Sequence, residues 1–341
     1  MGKGFEEATG GLMSAKLTDV AKLAGVSLAT ASRAFGDPGR LAAETRQKVM
    51  DAAVQLGYDV PGLTGSRTFG VIVPDISNAV FAALIKSIQG QAWHGRHRMV
   101  LADTAESSAR ERDHLASFTT GVDGIILCSP RLPSDQIHQL AGNAPLVVIN
   151  GEADHAARVL MEAGEGLRQA VEHLYALGHR KLAYIPGPAS SWANGQRMAA
   201  ITRFCAAWGI DLVTVGNQNA TVDGGLAAAA SVVASGATAV IAYNDLVAIG
   251  MLAGARSLGY HCPEDISVVG IDDLDVAAAA EPGLTSVRVP IDRSGSLALE
   301  LLLEQIAGKP TATEAVHLSS QLIVRGSTFA ARTADQALHG K

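Results

Sequence analysis

The residues able to do chemistry lie along this chain in a pattern that points to binding, not turnover. His94 and His97 stand three apart in His-Gly-Arg-His with no third ligand in the run, the pattern of a basic solvated turn. The sequence contains no HExxH, no GxxxxGK[ST] phosphate loop and no Gly-x-Ser-x-Gly nucleophile elbow. Asp272 and Asp273 are adjacent, and neighbours on a strand point to opposite faces, so the two carboxylates do not converge on one substrate or ion. Cys128, Cys205 and Cys262 are odd in number, widely spaced and without a CxxC pair, which suits buried small hydrophobes. No catalytic residue, metal site or cofactor is predicted. What remains is a set of polar residues closing apolar runs: Pro74-Asp75, Asn150, Asn244-Asp245 and Asp272-Asp273. Open α/β sheets bind ligands at such carboxyl ends of strands.

The elements that position them follow from periodicity. After residue 68, runs rich in β-branched residues (69–73, 98–102, 123–128, 145–150, 181–185, 238–243 and 266–271) alternate with helix-length amphipathic stretches (79–92, 107–118, 164–177, 192–207, 222–235 and 244–258). Continuous apolar strands alternating with helices predict parallel sheet covered on both faces. Seven strands are many for one compact unit, so the expectation is two doubly wound lobes. Residues 61–68, rich in Pro, Gly, Ser and Thr, read as a linker.

Residues 16–60 have a different logic. Thr18 is placed as the N-cap of a short helix with Val20, Leu23 and Ala24 on its buried face. Gly25 supplies a left-handed stop, Val26 packs into the corner, and Ser27 caps a second helix that Ala31 and Ala34 allow to lie close. A third helix at about 44–56 turns Val49, Ala52, Ala53 and Leu56 inward. This is a helix-turn-helix. Its second helix exposes Leu28, Ala29, Thr30, Ser32 and Arg33 to a major groove. Arg33 suits the edge of guanine, Thr30 and Ser32 suit phosphate or bases, and Leu28 and Ala29 offer apolar contact to a thymine methyl.

Composition is compatible with this division. The 341 residues are 48% hydrophobic and 18% charged, with a formal net charge of −6. The acidity is unevenly spread: residues 16–68 carry seven Lys/Arg against five Asp/Glu, whereas the 273 residues beyond carry nineteen against twenty-six. Residues 1–15 lack the apolar core of a secretory signal and read as a disordered tail, with Met13 an alternative start, as residues 331–341 read as a second tail. No apolar stretch is long enough to span a membrane, so the expected location is a reducing cytoplasm.

Asp19-Val20-Ala21, Ala24-Gly25-Val26-Ser27, Thr30, Ser32-Arg33, Thr45-Arg46 and Gly57-Tyr58 resemble the headpiece of the lactose-repressor (LacI/GalR) family of bacterial transcription regulators. The resemblance continues through Gly70-Val71-Ile72-Val73-Pro74-Asp75, Leu177-Gly178-His179-Arg180, Asn244-Asp245, Val269-Gly270-Ile271-Asp272-Asp273 and Arg325-Gly326-Ser327. It implies a helix-turn-helix headpiece and a two-lobed core like periplasmic sugar-binding proteins, with one lobe from about 69–160 and 289–317 and the other from about 161–288 and 318–330. It further implies a homodimer that reads a pseudo-palindromic double-stranded operator under control of a small effector, by default a sugar or derivative. By this resemblance Leu17, Ser27, Leu28, Ala29, Thr30, Ser32, Arg33, Thr45 and Tyr58 face DNA. Arg197 stands at the family's ligand-binding arginine and Asp272 at its effector-binding aspartate. Asn244 is a ligand residue or chiefly a helix cap, Asp75 and Phe81 reach the ligand from the other lobe, and Trp192 is a stacking wall or packing.

The sequence departs from the family in three places. Between Tyr58 and Phe69 roughly two helical turns of the usual hinge are missing. Pro61 and Gly62 disfavour helix in what remains, and Leu63 is the one candidate minor-groove wedge, so little DNA kinking is expected. Ala42 replaces a serine cap, at a cost of roughly 1 kcal/mol. Leu28 and Ala29 carry little hydrogen-bond information. The shortened hinge keeps a second reading open, a cytoplasmic solute sensor whose headpiece no longer binds operator.

Overall fold

The computed structural model describes residues 15–36, 43–56, 58, 66–309 and 314–332. The chain forms two compact units, one ending at Ser66 and one beginning at Arg67. The expected hinge, apart from Ser66–Thr68, and the Ala42 cap lie outside the described residues, as do nearly all of the two tails.

Among its described residues the first unit has three helices, α1 (Leu17–Leu23), α2 (Leu28–Gly36) and α3 (Ala43–Leu56). Lys16, not Thr18, precedes the first turn of α1, and its backbone N–H donates to the Asp19 carboxylate at 2.8 Å. An acid at the third helical position serves this end of the helix better than a hydroxyl already inside the turn. Val20, Ala21, Ala31, Ala34, Val49, Ala52, Ala53 and Tyr58 form the core. Leu23 is 46% exposed, and Ala21 takes the buried position expected of it. The small side chain lets α1 close on its neighbours where a leucine would hold them apart. Gly25 has φ +65°, which only glycine adopts without strain. Val26 N–H donates to Ala21 C=O at 3.0 Å, and the Ser27 hydroxyl accepts from Thr30 N–H at 3.1 Å, which starts α2.

The second unit runs β1 (Thr68–Val73), α4 (Ala79–His94), β2 (Arg98–Asp103), α5 (Ser108–Gly121), β3 (Gly124–Cys128), α6 (Ser134–Ala141), β4 (Leu146–Ile149) and β5 (Ala157–Glu162). It continues through α7 (Gly164–Ala176), β6 (Lys181–Ile185), α8 (Trp192–Ala207), β7 (Asp211–Thr214), α9 (Val222–Ala234), β8 (Ala239–Ala242), α10 (Asp245–Ser257), β9 (Ser267–Asp272), α11 (Asp275–Ala279) and β10 (Thr285–Arg288). It closes with α12 (Ile291–Ile306), β11 (Val316–Ser319) and β12 (Gln321–Ile323).

Two six-stranded sheets result, ordered β11-β5-β4-β3-β1-β2 and β12-β10-β9-β8-β6-β7. Every pairing is parallel except β10 with β12. The chain passes between the sheets after β5, after β10 and after β11, so each lobe is built from separate stretches of sequence. In both sheets the strand order reverses beside the first strand laid down, at β1/β3 and at β6/β8, and such switch points open a crevice at the carboxyl ends. The runs GIILC, LVVI and AVIA are buried throughout, as parallel strands covered on both faces require. Among the described residues no helix is long and apolar enough to cross a membrane.

Helices α9 and α10 approach so closely that backbone meets backbone. A Cβ on Gly250 would stand 1.9 Å from Val222 C=O, and one on Gly225 2.0 Å from Val247 C=O. Gly195, within α8, faces open space. Gly250→Ala is therefore expected to destabilise the protein by about 1–3 kcal/mol or more in urea unfolding. Gly195→Ala should stabilise it by roughly 0.5–1 kcal/mol. Equal effects from the two substitutions would contradict the close packing.

Candidate ligand cleft and nucleic-acid interface

The carboxyl ends of the two sheets face a common cavity. Phe81, Glu106, Ser129, Arg131 and Asn150 line it from the first lobe, and Arg197, Tyr243, Asn244 and Asp272 from the second. The space between them is about 30 Å³, room for one water molecule. Four of these residues are in the left-handed region: Glu106 at φ 60°, Ser129 at 44°, Asn150 at 51° and Asp272 at 114°. Non-glycine residues held there cost of order 1–3 kcal/mol each, and such strain gathers at functional sites.

Arg197 enters from the start of α8, a helix capped by Ser191. One guanidinium N–H donates to Asp272 Oδ1 at 3.1 Å and another to Tyr243 C=O at 2.5 Å, with the group 4.7 Å over the Tyr243 ring. Burial opposes the arginine's charge, the Asp272 carboxylate outweighs it, and the guanidinium pKa lies above its usual value. Asp272 is itself pushed up to about 6, chiefly by burial against the pull of Arg197. Behind it Asp245 is buried, accepting from Leu274 N–H at 2.8 Å and from the Ser286 hydroxyl at 2.6 Å. Burial and the neighbouring Asp272 charge carry its pKa up to about 8. Asp273 turns away and pairs with Arg288 and Arg325, each at 2.6 Å.

Asn244 has two engagements. Its Oδ1 accepts from Val247 N–H at 2.9 Å, which caps α10, and its Nδ2 donates to Ala220 C=O at 3.3 Å. It also lines the cavity, so capping and lining coexist. Asn150 Oδ1 accepts from Met161 N–H at 2.7 Å. Arg131 makes a two-point pair with Glu106 at 2.6 and 2.9 Å.

The structure thus brings together Phe81, Arg197, Asn244 and Asp272. Asp75 does not line this cavity. Its carboxylate accepts from the backbone N–H and the hydroxyl of Ser77, at 2.8 and 2.6 Å, and holds the turn before α4. Trp192 does not line it either. It borders a neighbouring groove of about 410 Å³ with Gln196 and Arg203, and its indole N–H donates to Glu152 at 3.4 Å. Glu106, Arg131 and Tyr243 were not expected there. Tyr243 closes the apolar run 238–243, so the strand-end rule reaches it, but Glu106 and Arg131 lie three residues past their strands and leave no such signal. Of the two histidines, His97 is half-buried, with its pKa lowered first by burial, and accepts from Arg67 N–H at 3.2 Å. The His94 ring bonds to Gly90 C=O at 2.6 Å.

In the first unit, α2 presents Leu28 (49% exposed), Ala29, Ser32 and Arg33 outward, with Ser27 at its start. The Thr30 hydroxyl is half-buried and bonded to Ser27 at 2.8 Å. Thr45 is half-buried, Leu17 is partly packed on the core and Tyr58 lies within it. Leu17 and Tyr58 thus contribute apolar surface to this core as well.

Residues 16–60 match the family model for bacterial regulatory proteins of the lacI family, and residues 171–328 match that for a periplasmic binding protein-like domain. The HTH-type transcriptional regulator MalR of Streptomyces coelicolor is 33% identical over 94% of this chain and 98% of its own length. The HTH-type transcriptional repressor CytR of Escherichia coli is 31% identical over 93% and 97%. Among solved structures, a transcriptional regulator CelR–cellobiose complex aligns with a TM-score of 0.67 at 30% identity, covering 92% of this chain and 99% of that one. The lac repressor dimer bound to operator and an anti-inducer shares the fold, with a TM-score of 0.72 at 24% identity over 93% and 100%.

The buried acid pair in the second lobe has a measurable consequence. Native Asp245 keeps its proton to about pH 8, whereas the unfolded chain releases it near ~3.9. The resulting stabilisation is complete below about pH 4 and is lost as pH rises through about 8. Wild-type stability should therefore fall between about pH 5 and 8 by on the order of 1 kcal/mol per unit more than that of Asp245→Asn. Urea unfolding across that range measures it, and parallel pH profiles would show Asp245 ionised in the fold.

Proposed function

Because the chain belongs to the LacI family of bacterial transcription regulators, we propose that it is a cytoplasmic repressor, a homodimer whose helix-turn-helix units read a pseudo-palindromic operator and whose interlobe cleft takes a sugar or sugar derivative. Its full-length relatives are regulators of transcription, not enzymes. The observation that carries the reading is the outward face of α2, with Ser32 and Arg33 beside apolar Leu28 and Ala29, on the same chain as a two-sheet unit with polar strand ends around a cleft.

The sugar reading is supported by the cleft's chemistry and by the ligand in the CelR complex. Carboxylate and amide groups suit hydroxyls, and the rings of Phe81 and Tyr243 suit the apolar face of a pyranose or furanose. A ligand larger than one water has to part the lobes from the described arrangement. Such a ligand biases an equilibrium between lobe arrangements only through its different affinity for each. The dimer reading is supported by the lac repressor dimer fold and by large apolar side chains left exposed in both lobes. In the first lobe they include Trp93 (79% exposed), Val100 and Leu101, the last two on edge strand β2; in the second they include Val222, Leu226 and Tyr260. Edge strands of this kind pair or are covered.

Selection of bound fragments from genomic DNA tests the function. One or a few fragments should be retained far above random DNA at physiological salt, and affinity should fall steeply as salt rises. Arg33→Ala should weaken the specific complex by roughly 1–3 kcal/mol while leaving the melting temperature unchanged. Retention no better than that of random DNA would refute the reading.

A further inference from the structure

Both arginines at the cleft are already committed. Arg131 directs Nε and Nη2 to the two Glu106 oxygens at 2.6 and 2.9 Å and Nη1 to Ser129 C=O at 2.7 Å. Its side chain is 3% exposed, and its backbone N–H is held by buried Glu111 at 2.8 Å. Arg197 is held by Asp272 and Tyr243 C=O. Each lobe therefore contributes a closed cation–carboxylate pair; in the first the accessible member is the Glu106 carboxylate, and in the second Arg197 and Asp272 are both nearly inaccessible. The Glu106 side chain is 36% exposed, and the described bonds use only one Asp272 oxygen. Asn78 and Asn150 accept backbone N–H bonds through Oδ1, at 3.1 and 2.7 Å, and each keeps an amide NH2 for a ligand.

Taking the sugar reading above as its basis, we infer that the effector is an uncharged polyhydroxylated molecule and that Glu106, held in place by Arg131, is the residue that turns away phosphorylated and acidic forms. Hydroxyl groups donate to carboxylates and accept from amides. A phosphate or carboxylate would instead bring a further negative charge into a dewatered site whose two guanidiniums each already face a carboxylate. Discrimination of this kind rests on repulsion of the wrong ligand as much as on attraction of the right one. Sequence position alone does not reveal it, because the two arginines taken singly look like anion receptors.

The test is calorimetric titration of the full chain with matched sets: glucose, glucose 6-phosphate and gluconate; galactose and galacturonate; ribose and ribose 5-phosphate. Every binder should be the neutral member of its set, at least tenfold tighter than its anionic partners. Glu106→Gln should narrow that ratio tenfold or more, losing affinity for the neutral sugar and gaining it for the anion, while Glu106→Asp should keep the preference for the neutral member. An anionic member that binds as tightly as its neutral partner, or a ratio unmoved by Glu106→Gln, overturns the inference and leaves the sugar reading standing. A panel with no binder overturns both. Should Glu106→Gln fail to fold, as its unliganded melting temperature would show, the wild-type ratios decide alone.

Discussion

The second unit depends on a guanidinium and a carboxylate buried against each other. Arg197 and Asp272 are both nearly inaccessible, and removing two charges from water costs more than their mutual attraction returns unless further hydrogen bonds complete them. Tyr243 C=O supplies one such bond directly, and the contacts around the pair hold it from further directions. Tyr243 gives a carbonyl and a ring face, Asp245 clamps the β9 exit through Leu274, and Ser286 links Asp245 to the backbone of Asp273. The start of α8, the start of α10 and the ends of β8, β9 and β10 must hold together for the pair to survive. A buried pair is weak evidence for stability, so its presence at a cleft of strained residues argues that the lobe is built to bind.

Much of this was legible in the sequence, and the misses have physical causes. The seven apolar runs are β1–β4, β6, β8 and β9; all but edge strand β2 are buried on both faces and so show themselves as unbroken hydrophobic stretches. Strands β7, β11 and β12 were silent because they close the sheets, are three or four residues long and are partly exposed. Arg158 interrupts β5, and Thr285 and Ser286 make β10 read as polar, though both are buried. In the cleft, Asn244 and Asp272 end or follow strong strands, whereas Arg197 lies within α8 and was expected there only from the family resemblance. Glu106 and Arg131 meet across 25 residues of chain, and nothing local marks the pair. Asp245 showed only as a polar residue closing an apolar run, but its buried carboxyl ties α10 to β10 and the β9 exit.

The net charge of −6 gives way to two opposite tendencies. The acidic excess belongs to the two-sheet unit, whose cleft handles its charges in matched pairs, while residues 16–68 carry an excess of two positive charges. So small an excess neutralises few phosphates, and one reading unit alone is a weak anchor. In the proposed homodimer two such units multiply their affinities through effective concentration, which makes binding of the proposed operator sensitive to anything that changes their spacing.

Coupling between a DNA-reading unit and a ligand cleft is reciprocal by thermodynamic necessity: the factor by which a ligand alters operator affinity is the factor by which operator alters ligand affinity. The central claim is that this chain couples the two sites. The most direct measurement is the dissociation constant of a cleft ligand on the full chain, with and without saturating operator fragment. The account predicts that operator shifts it at least fivefold and that ligand shifts the operator constant by the same factor. A ligand constant unchanged by operator would contradict it.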